Sequence, residues 1–208
     1  MTTTGQTTVS SVILDVPDVA AAEDFYAELG VGSRIGVRAA QEPSSGFRGY
    51  TLSLVVSQPG NVDAYVAAAR GAGATELKPA RKSLWGYGAA VQAPDGAIWT
   101  IASSSKKDTG PATRQFDELV LLLGVEDVKA SKEFYVDHGL VVEKSFGRKY
   151  VQFAGSATGV TLALNGRRAL AKNAGVSPDG TGAHRITIGS NAGQFTDPDG
   201  FVWDAAAG

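Results

Sequence analysis

Few side chains in this sequence have the chemistry of acid–base catalysts, nucleophiles or metal ligands. Its 208 residues include two histidines, His138 and His184, and no cysteine. The lack of cysteine excludes disulfides, thiolate zinc sites, iron–sulfur clusters and cysteine nucleophiles, and it fits a reducing cytosol. The chain also lacks the GxSxG nucleophile elbow, the GxxxxGK[ST] phosphate loop, the HExxH zinc motif and a GxGxxG turn after a strand. The commonest catalytic motifs are therefore missing.

Three short clusters are rich in aromatic and basic residues: Phe47–Tyr50, Leu84–Tyr87 and Phe146–Tyr150. Tryptophan and tyrosine offer flat apolar area with a polar tip, and arginine pairs with a carboxylate or stacks on a ring. We therefore expect a pocket for a small organic molecule, aromatic or acidic. Because alternating strands bury every second side chain, any one cluster alone also fits an ordinary strand. The candidate ligand-binding residues are Arg48, Tyr50, Trp85, Tyr87, Arg148, Tyr150 and Arg167.

The composition is that of a folded protein with little net charge. Hydrophobic residues make up 43% of the chain, and 19 Lys and Arg against 21 Asp and Glu leave a net charge of -2. The basic residues are scattered, so nucleic acid is not an expected partner. The first ten residues lack a secretory signal pattern, and no apolar run approaches the roughly 18 residues that cross a bilayer. We expect a soluble, cytoplasmic protein that does not contact membranes.

The sequence repeats itself in two halves. DVPDVAAAEDFYAELGV at 15–31 matches GVEDVKASKEFYVDHGL at 124–140, and APDGAIW at 93–99 matches DPDGFVW at 197–203. Two matches in the same order, with the same predicted elements under each, indicate a duplication. We predict a disordered polar segment at 1–8, a first domain at 9–104, a linker at 105–113 and a second domain at 114–208.

Each half is predicted to open with a strand and a capped helix. Asp18 and Asp127 can accept hydrogen bonds from the free amides of the first helical turn. Gly30 and Gly139 suit the left-handed residue that follows a helix. The Phe-Tyr pair inside each helix falls at the spacing of a buried face, so we expect it to pack against a sheet.

Further strands and a closing hairpin are predicted in each half. In the first half, Asn61 is expected to cap a second helix, and a hairpin at 89–101 turns at residues 94–96. In the second half, the basic stretch 166–172 replaces an apolar helix and is expected to be a solvated face or an anion-binding rim. Trp99 and Trp203, matched in the two halves, are expected in the core.

A strand, a capped helix ending in FY-x-x-x-G, more strands and a hairpin turned by PDG resemble the vicinal oxygen chelate superfamily. Its members include glyoxalases, bleomycin-resistance proteins and extradiol dioxygenases. The resemblance covers both halves and implies an α+β fold of tandem glyoxalase-like domains built from βαβββ modules, whose curved mixed sheets enclose a cavity. It also implies either a monomer with an internal pseudo-dimer or a homodimer.

In catalytic members of the superfamily, residues of the first and last strands of each module hold a divalent metal. Carried onto this sequence, the ligand positions are Ser11, Thr51, Thr100, Val120, His184, Asp204 and either Thr161 or Ala163. Most of these positions hold serine, valine or threonine, which cannot replace imidazole and carboxylate as strong ligands, so we expect no metal site and no cofactor. His184 and Asp204 remain as the candidate catalytic pair, and His138, near a helix end, is a poor candidate.

Three functions stay open at this point. The first is metal-independent binding of a small organic molecule, which the missing metal ligands favour. The second is a glyoxalase-like lyase, isomerase or dioxygenase that uses His184 and Asp204, either with a metal completed by the substrate or as base and acid. The third is a structural or interaction domain whose pocket is filled by side chains. In that case His184 hydrogen-bonds inside the sheet and Asp204 ends the last strand.

Overall fold

The chain folds into two main sheets with four helices, as seen in a computed structural model that describes residues 6–206. The elements in chain order are β1 (Val9–Val16), α1 (Val19–Glu28), β2 (Ile35–Ala39), β3 (Ser44–Gly46), β4 (Tyr50–Val55), α2 (Pro59–Gly71), β5 (Thr75–Ser83), β6 (Gly86–Gln92), β7 (Ile98–Ser103), β8 (Glu118–Val125), α3 (Val128–Asp137), β9 (Val142–Ser145), β10 (Tyr150–Phe153), β11 (Thr161–Gly166), α4 (Arg167–Ala174), β12 (Gly180–Gly182), β13 (Ile186–Ser190), β14 (Phe195–Thr196) and β15 (Val202–Ala205).

Each sheet combines strands from both halves of the sequence. The small sheet has five strands in the order β14-β15-β13-β1-β2, and the large sheet has eight in the order β5-β6-β7-β4-β8-β11-β10-β9. β1 pairs with β13 in the small sheet, and β4 pairs with β8 in the large sheet, both antiparallel. The predicted α+β class is confirmed. Both sheets cross the boundary at residues 105–113 that the repeat predicts.

The modules differ in completeness. β4-α2-β5-β6-β7 and β8-α3-β9-β10-β11 are full βαβββ modules, and together they build the large sheet. The opening module has β1, α1 and a parallel β2, while the last module passes from β13 to β14 without a helix. The small sheet is therefore narrower than the large one.

Alternation along the strands gives each sheet one apolar face. In β4, Leu52 and Leu54 are fully buried in the main core, which also contains Val62 of α2, Tyr135 of α3 and Trp99. The alternate residues Thr51 and Ser53 point to the opposite face of the large sheet. α1, α2 and α3 therefore cover the apolar face, and the opposite face forms the concave inner side of each sheet, which we call its cup.

A buried tyrosine–aspartate hydrogen bond joins the two repeated motifs in each half. Tyr26 of α1 donates to Asp95 at 2.5 Å, and Tyr135 of α3 donates to Asp197. Burial raises the pKa of both tyrosines well above the usual value, with further contributions from the neighbouring aspartates. Each bond connects a helix of one module to the turn before the last strand of the next module, so each one spans the two sheets.

The acceptor carboxylate occupies different turn positions in the two halves. Asp95 is the central residue of its PDG turn. Its counterpart in the repeat is Asp199, but the acceptor in the second half is Asp197, two residues earlier. Asp199 instead accepts hydrogen bonds from the Glu126 amide, at 2.8 Å, and from the Ser131 hydroxyl, at 3.0 Å. Burial raises the pKa of Asp197, against the opposing effect of the Tyr135 hydrogen bond. In both halves the helix tyrosine therefore donates to a turn carboxylate, although the aspartate that accepts stands at a different turn position.

Several local predictions are confirmed and one is wrong. Asp18 and Asp127 cap α1 and α3, and Gly30 and Gly139 have φ values of 70° and 86°. Asn61, however, does not cap α2. The helix begins at Pro59, because proline has no amide hydrogen to satisfy and its fixed φ suits the first helical position.

The linker is held against the start of α2 by buried amide side chains. Gln58 Oε1 accepts from the Thr109 and Gly110 amides at 2.7 and 3.0 Å, and its Nε2 donates to the Gly110 and Pro111 carbonyls. Asn61 Oδ1 accepts from the Thr113 amide at 2.8 Å. Asn61 is therefore buried and fixes the connection between the two halves.

Residues 6–8, which fall inside the segment predicted to be disordered, pack against the second half. The Thr7 amide donates to the Gly139 carbonyl at 3.0 Å and its hydroxyl donates to the His138 carbonyl at 2.8 Å. The Thr8 amide donates to the Asn191 side chain. Residues 1–5 of that predicted segment lie outside the described residues.

Removing the Tyr26 hydroxyl is expected to destabilise the fold. Tyr26→Phe leaves the buried Asp95 carboxylate without its donor, a loss that typically costs about 1–3 kcal/mol in the free energy of unfolding. Tyr87→Phe is the matched control, because Tyr87 donates to Asp63 near the surface. Urea unfolding followed by circular dichroism measures both variants. Equal losses in the two variants would contradict a special role for the buried bond.

We expect the free energy of unfolding to fall as the pH rises above about 10. Burial raises the pKa of Tyr50 and of Tyr150 from 10.0 to about 12, and it raises those of Tyr26 and Tyr135 as well. The folded state thus holds these protons more tightly, and this stabilisation, complete below pH 10, is lost as the pH passes through the folded-state values.

Urea unfolding at about pH 8 and at about pH 11 measures this loss. Tyr50→Phe is expected to lose less stability than the wild type between the two conditions, since phenylalanine has no proton to release. An identical pH dependence in the two proteins would refute the assignment to Tyr50.

Candidate functional site

The cup of the large sheet is largely filled by α4. Leu170, Ala171 and Ala174 of this helix are buried, and they form a small apolar cluster with Phe47 and Ile98. The basic stretch 166–172 lies mostly in an amphipathic helix. Arg168 and Lys172 are exposed, which agrees with the expected solvated face, while the apolar side, which the sequence did not predict, packs against the inner face of the large sheet.

The residues at the centre of this cup do not form a metal site. Strand pairing places Thr100, Ser53, Val120 and Thr161 in one row across β7, β4, β8 and β11. Ser53 therefore takes the place expected for Thr51. Hydroxyl and methyl groups are poor ligands for a transition metal, so the row does not fit a divalent cation. Within residues 6–206, no three His, Asp or Glu side chains converge on a common point.

The small sheet has a similar row with one carboxylate. Ser11 of β1 pairs with Gly189 of β13, and Gly189 pairs with Asp204 of β15. The place expected for His184 is thus occupied by Gly189. Asp204 is exposed and its Oδ1 accepts from the Ala205 amide at 2.7 Å. Serine, glycine and one carboxylate do not fit a divalent cation either.

His184 lies before β13 and is not brought together with Asp204. Its Nδ1 is 2.6 Å from the Arg48 carbonyl oxygen, and its Nε2 is 3.0 Å from the Asp199 carbonyl oxygen. The ring stacks on Phe201 with centroids 4.1 Å apart. Since both nitrogens face carbonyl oxygens, neither points a lone pair at a metal or a substrate proton. His184 instead connects Arg48 of the first half to the closing turn of the second half.

His138 has a structural position as well. It ends α3, its Nδ1 is 2.8 Å from the Phe134 carbonyl oxygen, and its half-buried ring stacks on Phe134. Trp99 and Trp203 are fully buried, which confirms the prediction that both belong to the core.

The predicted ligand-binding residues do not converge on a single pocket. Arg48 and Arg167 are the exceptions, since both line a cleft of about 550 Å³ beside His184. Arg48 donates to the Asp95 carbonyl at 2.5 Å, and Arg167 donates to the Phe47 carbonyl at 2.7 Å. Each guanidinium group therefore joins two loops, although the buried Arg48 Nη1 has no hydrogen-bond partner among residues 6–206.

The other predicted ligand-binding residues are scattered. Tyr50 is buried in the core, and its hydroxyl has no partner among residues 6–206. Trp85 is 85% exposed at the turn between β5 and β6, and Tyr87 donates to Asp63. Arg148 is exposed and pairs with Asp127 at 3.3 Å, and Tyr150 donates to Gln152 at 2.9 Å.

An open cavity lies over the inner face of the small sheet. Its volume is about 1040 Å³. Its polar lining includes Asp15, Arg38, Arg185 and Thr187, and its apolar lining includes Val202 and Ala39. A concave surface with apolar walls and a few convergent polar groups is the usual form of a small-molecule site.

Charged residues meet at one end of this cavity. Arg38 Nε is 2.5 Å from Asp15 Oδ1, and Arg38 Nη2 donates to the Thr187 hydroxyl at 2.8 Å. Arg38 lies beside Asp15 because β1 and β2 pair in parallel, and the Asp15 amide donates to the Arg185 carbonyl at 3.0 Å. The order across the sheet is therefore Arg185, Asp15, Arg38.

Sequence reasoning missed these four polar residues. One signal was present, because Asp15 interrupts the apolar strand β1 at a position that alternates away from the core. The pairing of β1 with both β2 and β13 decides which cations lie beside Asp15, and these partners are 23 and 170 residues away in the sequence. No local pattern predicts such neighbours.

Comparison with known proteins places this architecture among solved structures. No family model and no curated protein sequence matches the chain. The structure of glyoxalase I from Zea mays is 16% identical, covers 95% of this chain and 91% of its own, and has a TM-score of 0.62. A point mutant of the same maize enzyme gives 15% identity, coverages of 95% and 92%, and a TM-score of 0.60.

A shorter relative is a glyoxalase/bleomycin resistance protein/dioxygenase family enzyme from Burkholderia phytofirmans. It is 21% identical, covers 47% of this chain and 98% of its own, and has a TM-score of 0.40.

None of the helices within residues 6–206 is long and apolar enough to span a bilayer.

The likeness to the maize enzyme extends over nearly the full length of both chains. It agrees with the paired βαβββ modules and with the recurrence of the FY and PDG motifs in both halves. The chain has the fold of the vicinal oxygen chelate superfamily, with two glyoxalase-like halves in tandem.

Proposed function

We propose that this protein binds a small organic molecule in the cavity of the small sheet, without a metal ion. The observation that carries the proposal is the open cavity of about 1040 Å³, a volume sufficient for a metabolite or a drug-sized molecule. Apolar walls would cover the body of the ligand, and the arginines and Thr187 would orient its polar groups.

The state of the two cups supports this choice of cavity. In the large sheet, α4 and Phe47 occupy the inner face. For that sheet, this supports the third of the functions left open by the sequence, in which side chains fill the pocket. In the small sheet, no element within residues 6–206 corresponds to α4, and the inner face stays open at the cavity. Because one chain supplies both sides of each sheet, we propose that it acts as a monomer with an internal pseudo-twofold.

Catalysis by His184 and Asp204 is the less favoured alternative. A lyase or dioxygenase mechanism needs a base or a metal ligand with a free lone pair near the substrate. Both His184 nitrogens contact carbonyl oxygens, and Asp204, although its carboxylate is exposed, is not brought together with His184. Binding requires none of these groups to change partners.

Filling the cavity is expected to abolish ligand binding. A thermal-shift screen of aromatic and acidic metabolites should identify compounds that raise the melting temperature, because such compounds bind only the folded state. In Val202→Trp the larger side chain occupies the cavity, and the shift should disappear or require at least about tenfold more ligand. Dialysis of the wild type against EDTA is expected to leave the shift unchanged.

Val136→Trp is the matched control. Val136 and Val202 are both 43% exposed, but Val136 lies on α3, away from the cavity lining. The control should keep the wild-type shift. The proposal fails if no compound stabilises the wild type, or if Val202→Trp binds as well as Val136→Trp does.

A further inference from the structure

Arg185, at the entrance to β13, has an unusual backbone conformation. Among the non-glycine residues in the described range 6–206, Arg185 alone has a positive φ, at 57°. A side chain in this left-handed region brings its Cβ close to the following carbonyl oxygen, which costs free energy. A glycine would adopt the same conformation without that cost. Strained residues of this kind cluster at binding sites, where the surrounding structure holds them in place.

The surrounding contacts fix the Arg185 backbone. Its carbonyl accepts from the Asp15 amide at 3.0 Å, and the preceding residue, His184, is held by the Arg48 and Asp199 carbonyls. The segment before β13 is therefore rigid on both sides of the strained residue. Rigid support of this kind is what a group needs if it is to hold a ligand in one orientation.

The protein uses only part of the Arg185 guanidinium. Its Nη2 donates to the Glu42 carbonyl at 3.0 Å, and its Nη1 takes no part in that bond. Its Nε is enclosed by the protein and has no hydrogen-bond partner among residues 6–206. Arg185 is one of the residues that line the cavity.

A second guanidinium faces the same space. Arg38 uses Nε on Asp15 and Nη2 on Thr187, while its Nη1 takes part in neither of these bonds. Two carboxylates also line the cavity. Asp15 is already paired with Arg38, and Glu42 is exposed to solvent, where its charge is screened. The two arginines are therefore the residues of the lining that offer both a positive charge and an Nη1 group outside these bonds.

We propose that Arg185 and Arg38 recognise an acidic group of the ligand, so that the cavity selects organic carboxylates over neutral analogues of the same shape. A planar guanidinium can give two parallel hydrogen bonds to one carboxylate, which explains why arginine occupies a position that costs backbone strain. This inference rests on the proposed function, since it names the class of ligand that the same cavity takes. Arg185 is the specificity-determining residue and Arg38 supports it.

The test compares 2-naphthoate with 2-naphthamide, which share a ring system and differ in the charge of one group. Isothermal titration calorimetry of the wild type should give at least about tenfold tighter binding of the carboxylate. Arg185→Gly should bring the two affinities close together, because the guanidinium is lost while amide binding through the apolar walls remains. Arg148→Gly, at an exposed turn, is the matched control and should keep the preference.

The melting temperature separates a ligand contact from a structural role. Arg185→Gly removes the backbone strain, so we expect its melting temperature to stay close to that of the wild type while carboxylate binding falls. A clear drop in melting temperature with an unchanged carboxylate preference would identify Arg185 as structural and overturn the inference. Arg185→Lys tests geometry, since it keeps the charge and loses the planar fork, and it should recover only part of the preference.

The two proposals fail in different ways. If the wild type binds both compounds equally and Val202→Trp blocks both, the cavity binds ligands and the acidic-group assignment is wrong. If the wild type binds neither compound and the metabolite screen finds no ligand, both proposals fail. If other ligands bind in the cavity but show no preference for a carboxylate over its amide, the proposed function stands and the inference does not.

Discussion

The buried bond between a helix tyrosine and a turn aspartate holds the two sheets together. Tyr26 reaches from α1, beside the small sheet, to Asp95 in a turn of the large sheet. Tyr135 reaches from α3, beside the large sheet, to Asp197 before the last strand of the small sheet. Both pairs are buried, where an unpaired polar group would be costly, so each tyrosine requires its aspartate and each aspartate its tyrosine. The two bonds therefore fix the position of one sheet relative to the other.

The two halves meet this constraint in different ways. The acceptor is the central turn residue Asp95 in the first half and Asp197, before the turn, in the second half, and the bond to the tyrosine is present in both. Asp199, which does not make that bond, holds the start of α3 through Ser131 and the Glu126 amide. The physical requirement is a carboxylate opposite the tyrosine hydroxyl, and more than one turn position can supply it.

The different fates of the two cups follow from what each module kept. The large sheet has all the strands of two full modules, and α4, which follows β11, packs its apolar side onto the inner face. The small sheet has fewer strands, and its inner face stays open around Arg38, Asp15 and Arg185. Neither inner row carries the imidazole and carboxylate set that would hold a divalent cation. The shared fold therefore supports two surfaces of different chemistry within one chain.

The sequence by itself determined the duplication, the capped helices, the PDG hairpins and the burial of Trp99 and Trp203, because these depend on spacing and on contacts between near neighbours. Only the tertiary structure decided that α4 fills one cup, that both His184 nitrogens face carbonyl oxygens, and that Arg38 and Arg185 flank Asp15. These features arise from strand pairs between distant parts of the chain. Local periodicity predicts a strand, but it does not predict which strand lies beside it.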